Sequence, residues 1–307
     1  MGGRLKDRIA VVSGSGQGIG RAIAIAMARE GAQVVTNNRR PGTPGGDAET
    51  TAREIRNLGG QAVPFFGDIS KFETAHDFIQ TAVQNFGHID ILVNNAAGAD
   101  THSMVWELTE TEWDETISVH LKGSFNCIRH AAKIMKEQRW GRILNATSST
   151  RLGTVESSHY ASAMSGVVGL TYCVAKEMGG FGVTCNAYAP SARSRRTAGE
   201  DAKARYRRVY EAGIYTKEEY ERRLNQPSPD TVAPLIVYLC TDDAADINGQ
   251  VFTIARGSIS IYQVPAKGKT IHKDEGLWTI EELIDMVPNI LPQGYKNLAP
   301  AMSPQKE

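Results

Sequence analysis

Short apolar runs recur along the chain, each followed by a longer stretch in which apolar positions return every three or four residues. The runs are Ile9–Val12, Gln33–Thr36, Ala62–Phe66, Ile89–Val93, Ile143–Ala146, Val183–Ala187 and Val251–Ile254. Most are continuously apolar, and Gly, Asn or Asp bounds them. A strand that alternates has one wet face; a continuous run suits a strand covered on both faces, as in a parallel sheet. Helical spacing fills Arg21–Glu30, Phe72–Phe86 and Tyr160–Glu177. Strand alternating with helix predicts an α/β fold, a doubly wound parallel sheet of about seven strands. Ligands of such sheets sit at the carboxyl ends of the strands. Two segments break the rhythm: the charged stretch Arg193–Arg223, and everything after Tyr262, where no further strand–helix unit is visible.

The first strand runs directly into Ser13-Gly14-Ser15-Gly16-Gln17-Gly18-Ile19-Gly20, and a helix follows. Glycines let the backbone turn tightly and approach a diphosphate without a Cβ clash, and the helix N-terminus supplies free N–H groups. Within a strand–loop–helix unit this predicts a nicotinamide dinucleotide site of Rossmann type. The end of the second strand chooses between the two cofactors. An acid there binds the ribose hydroxyls of NAD, whereas arginine suits the 2′-phosphate of NADP. The residues are Asn37-Asn38-Arg39-Arg40, and the next acid is Asp47. NADP is therefore expected, with NAD as the alternative.

Composition removes several other classes. Lysine plus arginine equals aspartate plus glutamate, 34 each in 307 residues, so no basic field points to nucleic acid. Cys127, Cys173, Cys185 and Cys240 show no paired spacing and no neighbouring His cluster. They read as reduced thiols in a core rather than metal ligands, and no metal is expected. No apolar stretch reaches membrane-spanning length, and the charged residues Arg4, Lys6, Asp7 and Arg8 do not resemble a signal peptide. A cytoplasmic protein is the expectation.

At this point the chain resembles the short-chain dehydrogenase/reductase family over roughly residues 5–260. The glycine loop matches TGxxxGxG with Ser13 for Thr. Gly67-Asp68-Ile69 resembles the acidic turn beside the adenine. Val93-Asn94-Asn95-Ala96-Ala97-Gly98 resembles the NNAG segment. Pro190-Ser191-Ala192-Arg193-Ser194 resembles PGxxxT at the nicotinamide, with Ser191 for Gly and Ser194 near the Thr position. Asn248-Gly249-Gln250 matches the turn into the last strand. The segments Val119–Phe125, Ala189–Arg195 and Ala233-Pro234-Leu235 further resemble the dehydrogenase part of peroxisomal multifunctional enzymes, which act on hydroxyacyl-CoA thioesters and hydroxysteroids. The resemblance implies a domain over 1–260, a substrate lid over 194–230 and a tail over 261–307. The tail's apolar stretch Leu277–Leu291 either wraps the domain or joins an oligomer interface. A homo-oligomer is expected.

The family interconverts alcohols and ketones with a Tyr as proton donor or acceptor, a Ser on the substrate oxygen, and a Lys one turn after the Tyr. Free tyrosine titrates near pH ~10, so it must be made more acidic to work near neutrality. The resemblance places Ser148 and Tyr160 in the first two roles, 12 residues apart; Thr147 and Ser149 are alternatives to Ser148. The lysine position, on the same helix face as Tyr160, is Met164, and the supporting Asn position is His120. A thioether adds no charge and donates to no ribose. A second YxxxK, Tyr172 to Lys176, lies 12 residues further along, roughly 18 Å by helical rise, and reads as a packing Tyr and a surface Lys.

Three readings of Met164 stand open: an oxidoreductase in which His120 or another group replaces the lysine, a cofactor-binding subunit partnering an active paralogue, and an introduced Lys-to-Met change. A regulator that senses NADP is a fourth, non-enzymatic reading. The stretch Arg193–Arg223 holds ten Lys/Arg against six Asp/Glu. This suits a CoA or phosphate-bearing substrate, with Arg205 and Arg207 as candidate contacts. Trp106 and Trp113 are expected to pack near the cleft without touching ligand.

Overall fold

The computed structural model describes residues 3–98 and 101–291. They form two compact units, 1–262 and 263–307. In the first unit the elements run β1 (Ile9–Val12), α1 (Gly18–Arg29), β2 (Gln33–Asn38), α2 (Ala48–Asn57), β3 (Ala62–Phe66), α3 (Phe72–Phe86), β4 (Ile91–Asn94) and α4 (Glu110–Ile117). A π-helical turn, Ser118–Lys122, joins α4 to α5 (Gly123–Gln138). Next come β5 (Gly141–Ala146), α6 (Ser158–Met178), β6 (Val183–Ser191), α7 (Arg195–Ala198), α8 (Glu200–Glu211), α9 (Lys217–Leu224), α10 (Ala233–Leu239), β7 (Val251–Ala255) and β8 (Ser258–Ile261).

The sheet order is β3-β2-β1-β4-β5-β6-β7-β8. The first seven strands are parallel, and β8 pairs antiparallel to β7. Chain order reverses between β1 and β4, which opens a crevice at their carboxyl ends. The continuous apolar runs have the predicted cause. Along β1, Ala10 and Val12 join one core with α1, α2 and α10, while Ile9 and Val11 join the other with α3, α5 and α6. Every residue of the strand is buried because both faces are covered.

The second core is anchored by Phe78 on α3, fully buried and stacked on Phe65 of β3 with centroids 5.3 Å apart. Phe78→Ala removes a ring that a close-packed interior cannot fill. We expect a loss of about 3–5 kcal/mol, read from urea unfolding; a change below ~1 kcal/mol would show that the site collapses.

The structure adds an eighth strand to the predicted seven. Arg256 and Gly257 both take positive φ, 48° and 83°, and Ala255 pairs with Ser258 across them. This two-residue turn suits the twist of a hairpin. All four residues of β8 are exposed, so no continuous apolar run marks it. β2 and β6 also extend beyond their apolar runs, to Asn38 and Ser191, because the ladder with β3 and β7 continues.

Three other expectations change. Cys173 is exposed on α6, whereas Cys127, Cys185 and Cys240 are buried and burial pushes their thiols up, to about 12 for the first two. Trp106 and Trp113 do not pack inward: Trp106 is 76% exposed and Trp113 40%. Their segment is held instead by polar capping, since Thr109 and Glu112 form a reciprocal box at the start of α4.

In the second unit, α11 (Ile280–Ile290) starts at a Thr279–Glu282 capping box, and Lys273 pairs with Glu282. Leu277, Ile280 and Ile284 are exposed. The tail beyond residue 291 lies outside the described residues. No described helix is long and apolar enough to cross a membrane.

Candidate active site

A cleft of about 660 Å³ opens at the carboxyl ends of the strands, from the glycine loop to α8 and α9. Gly14, Gln17, Gly18 and Ile19 line one end. Gly14 has φ +62°, and a Cβ there would stand 2.7 Å from Ala96 Cα. Gly18 has φ +58°, and a Cβ on it would meet nothing within 4 Å, so it borders open space. Ser13 Oγ accepts from the N–H groups of Asn95 (2.9 Å) and Ala96 (3.1 Å), tying the loop to the end of β4 as a Thr would. Ser15 turns inward: its hydroxyl donates to Val12 O and accepts from Asn37 N, both in the buried frame. Ser15 and Gly20 therefore shape the loop without lining the cleft.

These residues fit a dinucleotide diphosphate. The N-terminus of α1 carries no side-chain cap and no acid in its first turn, which leaves its N–H groups and positive dipole end available. Gln17 Nε2 and Asn38 Oδ1 are buried without hydrogen-bond partners. Buried polar atoms of this kind are uncommon in a finished structure, and both residues border the cleft.

The next wall carries Asn38, Arg39, Arg40, Asp68 and Ile69. Asp68 accepts from Ser70 N at 3.0 Å and pairs with Arg39 at 3.4 Å. Burial pushes its carboxyl up, but the Ser70 hydrogen bonds and the Arg39 and Lys71 charges outweigh this and hold it below the usual carboxylate range. Arg39 thus leans on Asp68, while Arg40, exposed at the rim, makes no ion pair among the described residues. Asp47, the next acid, caps α2 and accepts from Gly42 and Thr50.

Asn95, Ala96 and Ala97 form the floor, and Pro190, Ser191 and Ser194 the side below β6. Arg193 does not line the cleft; its backbone N–H donates to Pro227 O. Thr197, which sequence spacing did not single out, does line it and accepts from Ser194 N at 2.9 Å.

Ser148, Tyr160, His120 and Met164 all border the same cleft. Ser148 follows β5, and its Oγ accepts from Thr150 N at 3.1 Å, which leaves its O–H as a donor. Thr147 Oγ1 donates to Met164 O at 2.9 Å, and Ser149 is exposed, so Ser148 is the best placed of the three. Tyr160, in the first turn of α6, is half-buried. His120 sits in the π-helical turn, a feature that recurs at functional sites. Its ring meets Tyr160 edge-on with centroids 5.1 Å apart, and its Nε2 accepts from Gly98 N at 3.4 Å. Met164 is 2% exposed and packs with Ala163, Val167, Ile117, Leu121 and the Tyr160 ring. Tyr172 packs against Val168, Ala187 and Val251, away from the cleft, and Lys176 is exposed.

The short chain dehydrogenase family model matches residues 8–204. The chain belongs to the short-chain dehydrogenase/reductase family. It is 33% identical over 295 residues to the peroxisomal multifunctional enzyme type 2 of Drosophila melanogaster, covering 94% of this chain and 46% of that protein. It therefore spans about half of that relative's length. It is 32% identical over 289 residues to the hydroxyacyl-CoA dehydrogenase ChsB1 of Mycobacterium tuberculosis, covering 91% of this chain and 87% of that one. A short chain dehydrogenase from Mycobacterium avium superposes with a TM-score of 0.79 at 35% identity, covering 94% and 96% of the two chains. The fold, the hydroxyacyl-CoA branch and an oxidoreductase activity follow from this membership, and nicotinamide dinucleotides are the family's cofactors.

Proposed function

We propose that this short-chain dehydrogenase interconverts a secondary alcohol and a ketone on an acyl-CoA-type substrate, with NADP as the preferred cofactor. The observation that carries the reading is the single continuous cleft: the glycine loop lines one end, and Ser148, Tyr160 and His120 line the wall towards the lid. A nicotinamide dinucleotide held by the Gly14–Gly20 loop and the residues after β4 would supply the hydride chemistry of the reaction. Ser148 donates its O–H to the reacting oxygen. Tyr160 gives a proton to that oxygen on reduction and takes it on oxidation. The backbone N–H of Gly98 donates to His120 Nε2. His120 orients Tyr160 through the edge contact of the two rings.

The hydroxyacyl-CoA names of the relatives support the substrate class. The test is NADPH-dependent reduction of acetoacetyl-CoA by the purified chain, with a 3-oxosteroid in parallel. Turnover of neither, alone or with any co-purifying partner, would overturn the reading. One observation favours a second reading: Met164 is a well-packed core residue. A catalytically impaired subunit of a hetero-oligomer would look the same, and activity restored only by an active paralogue would identify it.

Arg40 supports the NADP preference, since nothing among the described residues neutralises it. Charge-assisted hydrogen bonds contribute about 1.5–3 kcal/mol. Arg40→Ala should therefore weaken NADPH binding by roughly 10–150-fold while leaving NADH within about twofold, measured by fluorescence titration. Tighter binding of NADH than NADPH by the unaltered chain would overturn the preference.

A further inference from the structure

We infer that Arg205 and Arg223, both close to the Tyr206 ring, form a clamp for an anionic group carried by the substrate. Arg205 lies on α8, and Arg223 is near the end of α9. Both line the cleft together with Tyr206. The Arg205 guanidinium lies 5.0 Å from the Tyr206 centroid and that of Arg223 5.8 Å from it. Tyr206 itself is 2% exposed, so its ring is fixed by the packing of α8.

Each guanidinium has a further contact that orients it. Arg205 Nη1 lies 2.9 Å from His102 Nδ1. A guanidinium only donates, so Nδ1 is the acceptor here. Arg223 stacks over Tyr215 at 4.3 Å. An aromatic face and a ring-nitrogen acceptor hold a guanidinium in place without supplying a carboxylate to cancel its charge. Among the described residues neither arginine has a carboxylate in ion-pair range. Among the described residues, the lining of the cleft contains one carboxylate, Asp68, and it is engaged with Arg39. The Nε atoms of both Arg205 and Arg223 are shielded from solvent and lack acceptors. A guanidinium nitrogen withdrawn from water without an acceptor is unfavourable. Two such groups facing one cleft are satisfied together by an anion with several oxygens, a carboxylate or a phosphate.

The contrast with neighbouring cations sharpens the assignment. Arg207, a candidate contact by sequence, is exposed, does not line the cleft and bonds Tyr220. Arg208 pairs with Glu156 at 2.8 Å. Among the described side chains of the lid, Arg205 and Arg223 are the cations that reach the cleft. The clamp rests on the dehydrogenase reading only in making its ligand the substrate; anion recognition itself is a binding property.

Calorimetry on the NADP-loaded chain tests it without requiring turnover. Three thioesters separate the sources of the anion: 3-oxohexanoyl-pantetheine, which has no anionic group; 3-oxoadipyl-pantetheine, which adds one carboxylate; and 3-oxohexanoyl-CoA, which adds the nucleotide phosphates. The expected result is that at least one charged thioester binds tenfold or more tighter than the neutral one. That advantage should vanish in Arg205→Gln and in Arg223→Gln, survive in part in Arg205→Lys, and persist in Arg207→Gln. An advantage for 3-oxoadipyl-pantetheine places the clamp on the acyl portion, and an advantage for the CoA ester places it on the phosphates. Equal affinity for all three, or an advantage that survives both glutamine variants, overturns the clamp. So does a loss of NADPH affinity in those variants with thioester discrimination unchanged, which would give the arginines to the cofactor. Intact discrimination without any turnover would leave the clamp standing and count against the dehydrogenase reading alone.

Discussion

Met164→Lys is expected to raise the rate of alcohol oxidation near neutral pH by about 10²–10⁴-fold, the range that a well-tuned acid–base group contributes. Oxidation requires Tyr160 to accept a proton, and a phenolate is favoured by a nearby positive charge and disfavoured by burial. Met164 supplies only apolar packing, among Ala163, Val167, Ile117 and Leu121. An ammonium one helical turn from Tyr160, on the face that borders the cleft, would favour the charged form. The pH at which oxidation reaches half its maximum should move downward in the variant. Reduction should gain less, because it uses the protonated phenol, which an added cation does not favour. Steady-state rates in both directions across pH 6–10 measure this. An unchanged oxidation rate in a variant that still folds and binds NADPH would show that another group already serves the lysine's purpose. The lysine replaces a buried thioether, so Met164→Gln provides the control for polarity without charge; it should not reproduce the gain.

The fold was legible because its determinants are local. Continuous apolar runs such as that of β1 exist because two helical layers cover the sheet, and in the loop Gly14 and Gly20 stand too close to Ala96 and Asn95, just after β4, to carry a Cβ. What escaped was decided elsewhere. β8 carries an alternating Ser-Ile-Ser-Ile pattern on an exposed edge, and only the Arg256–Gly257 turn signals it. Trp106 looked like a packing residue by type, yet its neighbours leave it in solvent. In the lid, sequence supplied the excess charge but not its direction. Arg205 and Arg207 differ by two positions on α8, so they cannot share a helix face, and only the former reaches the cleft. Arg223 joins it from α9, a pairing that no spacing rule indicates. The partner of Arg39 was likewise invisible, because Asp68 comes from the end of β3.

Tyr160→Phe is expected to lower turnover in both directions by about 10²–10⁴-fold while leaving NADPH affinity and thermal stability nearly unchanged. The hydroxyl is the only group removed, and the ring that meets His120 and Met164 stays. The outcome acquires its meaning beside Met164→Lys. If Tyr160 is the proton-transfer group and Met164 limits it, the double variant should be as slow as Tyr160→Phe alone, since a cation has nothing left to act upon. Groups that act as a unit give strongly non-additive effects of this kind. If His120 carries the proton instead, Tyr160→Phe should retain most of the activity, His120→Ala should lose it, and Met164→Lys should matter little. If the chain serves an active paralogue, neither single variant should alter the activity of the assembled pair, whereas loss of the cofactor site through Gly14→Val should affect only what this subunit binds. Gly14 is a suitable probe because a Cβ there meets the Ala96 backbone at a φ that only glycine adopts readily. The same cleft thus yields three distinct patterns of loss, and which one is observed assigns the proton to Tyr160, to His120 or to a neighbouring subunit.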